Sequence, residues 1–346
     1  MPDPLDPVEQ LERIAYLLEA ALEPPYRVKA FRGAARTLGA LPAGEAALRA
    51  GQGTLRELPG VGEVTARVVT EALAGEVPVY LRRLQATEGQ PVEPAAQALR
   101  DALRGDCHTH SDWSDGGSPI EEMARAAIGL GHDYVVLTDH SPRLTVAHGL
   151  SPERLREQLR VVAGLNERLA PFRILTGIEV DINSDGTLDQ EPELLAQLDL
   201  VVASVHSQLK LPAAEMTARM VRAIDNQHTD VLGHCTGRNV SSQGRGGKPR
   251  AESAFDPEVV FAACQLAGVA VEVNCRPERL DPPKRLLRLV VEAGCRVAID
   301  TDAHAPGQLS WQPAGCERAV RCGIDAAGVV NTLAADELLA WTGRGR

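Results

Sequence analysis

Six of the nine histidines in this chain stand at or just beyond the ends of short apolar runs, in company with three acidic residues, which is the pattern of a metal-ligand set. His108 and His110 lie two apart in GDCHTH, so in an extended segment both imidazoles point to one side and can grip one ion. Asp115 follows in SDGG, His140 ends TDH, Glu179 lies in GIEV, His206 in SVHS and His234 in GHC; Asp302 and His304 come last in DTDAH. The other three histidines, His132, His148 and His228, fall in segments that read as helices or loops. One strand-end histidine alone is usually a hydrogen-bonded core residue, but six sorted this way read as ligands. Mixed imidazole and carboxylate donors suit Zn, Mn or Fe, and nine donors exceed the needs of one tetrahedral ion, so two or three divalent ions are expected. Such a cluster holds a phosphoryl oxygen, acidifies a water and stabilises a leaving oxygen, which is hydrolytic phosphoester chemistry. All nine are therefore candidate catalytic residues as well as candidate ligands.

The elements that must position them follow from the texture of the chain. Beyond Gly105, the runs GDCHTH, DYVVLTDH, RILTGIEV, LVVASVH, DVLGH, VAVEVNC and RVAIDTDAH alternate with helical segments, which implies a parallel sheet. Seven such units in about 240 residues suit a closed or nearly closed α/β barrel, with the ligands at its strand ends, where barrel enzymes carry their chemistry. Arg276 in NCRPERLDPP and Arg143 after TDHSP are candidate donors to a substrate phosphate, against the plainer reading that each pairs with a neighbouring carboxylate. DINSDG, Asp181 to Gly186, matches half of a calcium loop, yet Pro192 stands where a bidentate Glu is needed, so an Asp-Gly turn is expected.

Together, HTH with SDGG, then TDH, GIEV, SVH, GH and DAH resemble the PHP (polymerase and histidinol phosphatase) family over about 240 residues. The resemblance implies a distorted (β/α)7 barrel and a trinuclear site. By carry-over, His108, His110, Glu179 and Asp302 would hold one ion, Glu179, His206 and His234 a second, and Asp115, His140 and His304 a third, with Glu179 bridging. Amidohydrolase barrels also open with HxH, but their bridging Lys has no counterpart here; Lys210 lies four residues beyond His206.

From Pro7 to about Leu84 the periodicity is that of helices separated by short turns. LPGVG, Leu58 to Gly62, reads as the hairpin of a helix-hairpin-helix motif, whose glycines let the backbone turn and offer N–H groups to a DNA phosphate at a helix N-terminus. Its plainer reading is an ordinary turn between helices. PPYRVKAFRGAARTL places Lys29, Arg32 and Arg36 on one helical face, so Gly60, Gly62 and these three cations are candidate DNA contacts. The segment resembles the N-terminal domain of bacterial family X DNA polymerases, which implies a grip on the 5′-phosphate side of a gap. About 20 residues separate the two parts, too few for a polymerase palm, so no polymerase activity is expected. Val68 stands where lyase-competent relatives carry a Schiff-base Lys, which argues against a lyase.

The expected organisation is a small all-α helix-hairpin-helix domain at 1–84, a linker or bridging helix at 85–104, and the barrel at 105–346. Hydrophobic residues at 44% and charged residues at 24% are globular values. The formal charge of −11 disfavours broad capture of nucleic acid, but residues 26–67 carry seven basic against three acidic side chains. Seven scattered cysteines without CxxC spacing imply reduced thiols, and the acidic start MPDPLDPVEQ together with the lack of a long apolar run implies a cytoplasmic protein. The leading expectation is an enzyme acting at DNA ends or gaps: a 3′–5′ exonuclease, 3′-phosphatase or abasic-site endonuclease, with a role in DNA repair. The alternative is a small-molecule phosphatase of the histidinol-phosphatase type, for which the partner is a phosphorylated metabolite. A binding protein with an inactive barrel is a third class.

Overall fold

The computed structural model describes residues 3–86, 93–240 and 249–343, and the chain divides into two compact units, Met1–Pro91 and Val92–Arg346. Residues 87–92 of the expected linker lie outside the described residues.

The first unit is all-α: α1 (Pro7–Ala20), α2 (Pro25–Gly39), α3 (Glu45–Gln52), α4 (Glu63–Leu73) and α5 (Val79–Gln85). The Asp6 side chain caps α1 by accepting from the Val8 N–H at 2.8 Å. Leu11, Ile14 and Leu18 of α1 meet Phe31 and Leu38 of α2 and Val68 and Val69 of α4 in one core. Leu58 and Val61 sink into that core from the hairpin, so the intervening Pro59-Gly60 turn is pinned from both sides. Gly60 has φ +75°, a left-handed value that residues with a Cβ rarely adopt, and the Thr37 hydroxyl donates to the Pro59 carbonyl at 2.8 Å. Gly62 then N-caps α4, its own N–H donating to Thr65 Oγ1 at 2.9 Å.

The second unit opens with α6 (Pro94–Ala102), which packs on the helix Gln312–Val320. Seven strands follow: β1 (Gly105–Thr109), β2 (Tyr134–Leu137), β3 (Arg173–Asp181), β4 (Leu200–Ser204), β5 (Val231–Leu232), β6 (Ala270–Asn274) and β7 (Val297–Asp300). All are parallel and in sequence order, with Glu179 paired to Val202 and Glu272 to Ala298. The strands are buried along nearly their whole length, as expected of a parallel sheet covered by crossover helices. Just past the two edge strands, a parallel bridge joins Thr109 to Ala303, and the His110 N–H donates to the Ala303 carbonyl at 2.8 Å. The sheet is thus a nearly closed seven-stranded barrel, as the distorted (β/α)7 expectation required.

All seven strand runs read from the sequence are strands, although β5 keeps only two residues in its ladder. Asp181 to Gly186 forms the expected turn: the Gly186 N–H donates to the Asn183 carbonyl at 2.9 Å and the Thr187 N–H to Asp185 Oδ1 at 3.0 Å.

Candidate metal centre and nucleic-acid interface

The barrel brings all nine predicted residues into one cluster. His108 lies in β1 and Glu179 in β3; the other seven sit in the segments that leave β1, β2, β4, β5 and β7. Glu179, 1% exposed, is the hub. Its Oε2 lies 2.8 Å from His140 Nδ1, 3.4 Å from His108 Nε2 and 3.6 Å from His110 Nε2, while its Oε1 lies 2.9 Å from His234 Nε2 and 3.2 Å from His206 Nε2. Asp115 Oδ1 stands 3.2 Å from His304 Nε2 and 3.5 Å from His140 Nε2. Asp302 Oδ1 stands 3.4 Å from His110 Nε2 and 3.5 Å from His304 Nδ1.

Local backbone explains how the acidic partners are aimed. Asp115 rides on a tight loop in which the Gly116 N–H donates to the Ser111 carbonyl at 2.9 Å; a Cβ on Gly116 would fall 2.5 Å from that oxygen. The neighbouring Gly117 N–H bonds the His304 carbonyl, tying the loop to the end of β7. Asp302 takes φ +53°, an uncommon value for a residue with a Cβ and one that recurs at functional sites.

The donor atoms fit divalent cations. His108 Nε2, His110 Nε2, His206 Nε2, His234 Nε2 and both Glu179 oxygens are buried without an aligned hydrogen bond, although they converge within contact distance. Buried polar atoms left so are costly unless a cation completes them. Among the described residues, three groups have donors mutually within 4.8 Å: His110, Asp115, His140 and His304; His108, His110 and Asp302; His140, Glu179 and His206. His110 and His140 each stand in two of these, a closer weave than the three ligand sets the resemblance implies.

The electrostatics agree with a cation site. Burial works against ionisation of Glu179, yet His206, His108 and His140 hold its carboxyl well below the usual range. Asp302 is likewise held low against burial, by Arg276, His110 and Arg279. Burial, with His304 and His140 nearby, keeps His110 well below its ordinary value, so its nitrogens retain a lone pair for ligation. His206 is burdened by burial but carried up to about 9 by Glu179 and Asp181.

Further residues at the site escaped sequence reasoning. Glu272 Oε1 accepts from His108 Nδ1 at 2.6 Å, and Asp181 Oδ1 lies 3.1 Å from His206 Nδ1, each fixing which ring nitrogen faces the cluster. A charged residue inside the apolar run VAVEVNC was the available signal for Glu272. Arg279 places Nε 3.1 Å from Asp302 Oδ2 and remains partly open. Arg276 is engaged: its Nη1 donates to the Asp302 carbonyl at 2.9 Å and lies 3.0 Å from His304 Nδ1, and its Nε lies 3.4 Å from Glu278. Arg143 is exposed, its Nη1 donating to Asn183 Oδ1 at 3.1 Å.

In the helical unit, Lys29 and Arg36 are exposed on α2. Arg32 lies against Glu19, donating through Nε at 3.1 Å and Nη2 at 3.0 Å, a forked pair that neutralises its charge within the unit. Val68 is 1% exposed and part of the core. Among the described residues no helix is long and apolar enough to cross a membrane.

Comparison with known proteins agrees with both halves. A model of the PHP domain matches residues 106–250, and one of a helix-hairpin-helix domain matches residues 4–77. Asp302 and His304 lie beyond the PHP match, and the barrel returns them to the other seven. A DNA polymerase/3′-5′ exonuclease PolX of Bacillus subtilis is 36% identical over 260 residues, covering 74% of this chain but 44% of the relative, so the chain spans less than half of that protein. A probable phosphatase of a Thermoanaerobacter species is 29% identical over 239 residues, 66% of this chain and 88% of the relative. A solved histidinol phosphate phosphatase from Lactococcus lactis, complexed with zinc, L-histidinol and phosphate, has 18% identity and a TM-score of 0.49 over 64% of this chain and 95% of its own. With its histidine and carboxylate cluster inside a seven-stranded barrel and a helical unit ahead of it, the chain carries a PHP domain and an N-terminal helix-hairpin-helix domain.

Proposed function

We propose that the chain is a metal-dependent phosphoesterase acting at DNA ends or gaps, as a 3′–5′ exonuclease, 3′-phosphatase or abasic-site endonuclease, and without polymerase activity. The observation that carries the phosphoesterase reading is the convergence of five imidazoles on the two buried oxygens of Glu179. Two or three divalent ions held by the nine residues would supply Lewis-acid polarisation of phosphoryl oxygens and charge to stabilise the leaving oxygen. The protein's own groups do the rest. Glu179, Asp115 and Asp302 supply the negative charge that fixes the cations, while Glu272 and Asp181 orient two of the imidazoles. Arg279, whose Nε rests on Asp302 and whose side chain is partly open, would offer its remaining guanidinium donors to a substrate phosphate, and Arg276 and Arg143 are the further candidates.

DNA is favoured by the helix-hairpin-helix unit, whose turn leaves Gly60 and the α4 N-terminus at the surface, with Lys29 and Arg36 exposed on α2 of the same unit. The two domain matches are separated only by residues 78–105, which leaves no room for a polymerase palm. A second reading, a phosphatase acting on a small phosphorylated metabolite, is favoured by the net charge of −11 and by the internal pairing of Arg32 with Glu19.

The two readings separate in one assay. Manganese-loaded protein is incubated with 3′-labelled gapped, nicked and abasic DNA and, in parallel, with histidinol phosphate. Shortening, dephosphorylation or incision of a DNA end is expected. Turnover of histidinol phosphate with every DNA end intact would contradict the DNA reading and favour the second.

A further inference from the structure

β6 is the one strand of the barrel from which no candidate ligand comes, yet its two polar side chains are fully buried and aimed into the cluster. Glu272 and Asn274 lie two apart and therefore on the same side of the strand. Glu272 Oε1 accepts from His108 Nδ1 at 2.6 Å, across the barrel in β1. Its Oε2 accepts from the main-chain N–H of His234, just past the neighbouring β5, and from Asn274 Nδ2 at 3.2 Å. Asn274 Nδ2 also donates to Asp302 Oδ2 at 3.2 Å, just past β7 on the other side, and Asn274 Oδ1 accepts from the Arg276 N–H at 3.0 Å. Three ligands from three different strands thus rest on one pair of side chains.

We propose that Glu272 and Asn274 are positioning residues that make β6 the brace of the metal cluster, locking His108, His234 and Asp302 into one geometry. The physical reason is tautomer and aim. A carboxylate on His108 Nδ1 requires the proton there, which leaves Nε2 as the donor facing Glu179 and an ion. A carboxylate is also the group able to accept simultaneously from an imidazole N–H, a main-chain N–H and an amide N–H. Glutamine at 272 would turn one N–H₂ against a donor, and alanine at 274 would release Asp302 Oδ2 from one of its partners.

The brace touches two of the three members of the His108, His110 and Asp302 group and no side chain of the His110, Asp115, His140 and His304 group. Its loss is therefore expected to weaken one ion selectively. The test measures metal content and affinity of the full chain after stripping and titration with Mn²⁺ or Co²⁺, together with thermal melts of the metal-free protein. Glu272→Gln and Asn274→Ala are each expected to weaken one binding step by about 10–100-fold, with the remaining steps and the metal-free melt near those of the parent chain. Unchanged affinity at every step would overturn the proposal, and so would loss of the fold in both variants, since the pair would then be structural. The inference rests on the metal reading of the cluster, which fails separately if the unaltered chain takes up no metal.

Discussion

A carboxylate removed from water needs compensating charge, and Glu179 is surrounded by imidazoles that are themselves buried. Burial holds His110 below its ordinary value while Glu179 and Asp181 carry His206 upward, so the imidazoles of one cluster differ in how readily they take a proton. Divalent cations bound there would compete with such protons. At the same site Arg279, paired to Asp302 and partly open, is the proposed phosphate donor, whereas Arg276 is tied to Asp302, His304 and Glu278. Arg279→Ala is expected to lower kcat/KM for a phosphate monoester about 10–100-fold, as for loss of a hydrogen bond to a charged group, with metal content retained. Steady-state kinetics beside elemental analysis checks it, and a value within twofold of the parent enzyme would contradict it. The clustering of the nine candidate ligands was legible in the sequence because the chain has only nine histidines and its strand ends are marked by apolar runs. Arg279, Glu272 and Asp181 were not, because their roles are set by partners at other strand ends, between 23 and 164 residues away in sequence.

Strand order and helix placement were readable at the scale of elements, since hydrophobic runs alternating with helical periodicity leave few alternatives to a parallel sheet. What the runs could not convey is how much each strand contributes to the ladder. β5 has only two residues in it, and β6 carries a brace where its neighbours lead to ligands. In the helical unit the one-face reading of Lys29, Arg32 and Arg36 is uneven: helical spacing places three cations together but does not reveal that Glu19 lies beneath the middle one. Lys29→Ala with Arg36→Ala is therefore expected to weaken gapped-DNA binding by about tenfold or more and to flatten its salt dependence. The same pair should leave hydrolysis of a small chromogenic phosphate unchanged. Arg32→Ala, which deprives the buried Glu19 of its forked partner, is expected to lower the melting temperature of the helical unit. DNA binding indifferent to Lys29 and Arg36 would remove α2 from the interface.

Taken whole, the molecule joins a helical unit with a basic stretch at 26–67 to an acidic barrel with buried carboxylates at its strand ends. The net charge of −11 includes three cluster carboxylates, and two or three divalent ions would more than offset them locally. Charge counted on the bare chain thus understates how well a phosphate is received. The central claim is that these nine residues form a hydrolytic metal centre, and metal removal and return tests it most directly. Chelator-stripped protein, the same protein reloaded with Mn²⁺, and a reloaded His206→Ala variant are compared for metal per chain and for hydrolysis of a chromogenic phosphodiester. The reloaded chain is expected to hold two or three ions and recover turnover, with the stripped chain inactive and His206→Ala short of metal and at least about 100-fold slower. Undiminished turnover in the stripped chain, or a His206→Ala variant with full metal and full activity, would contradict it.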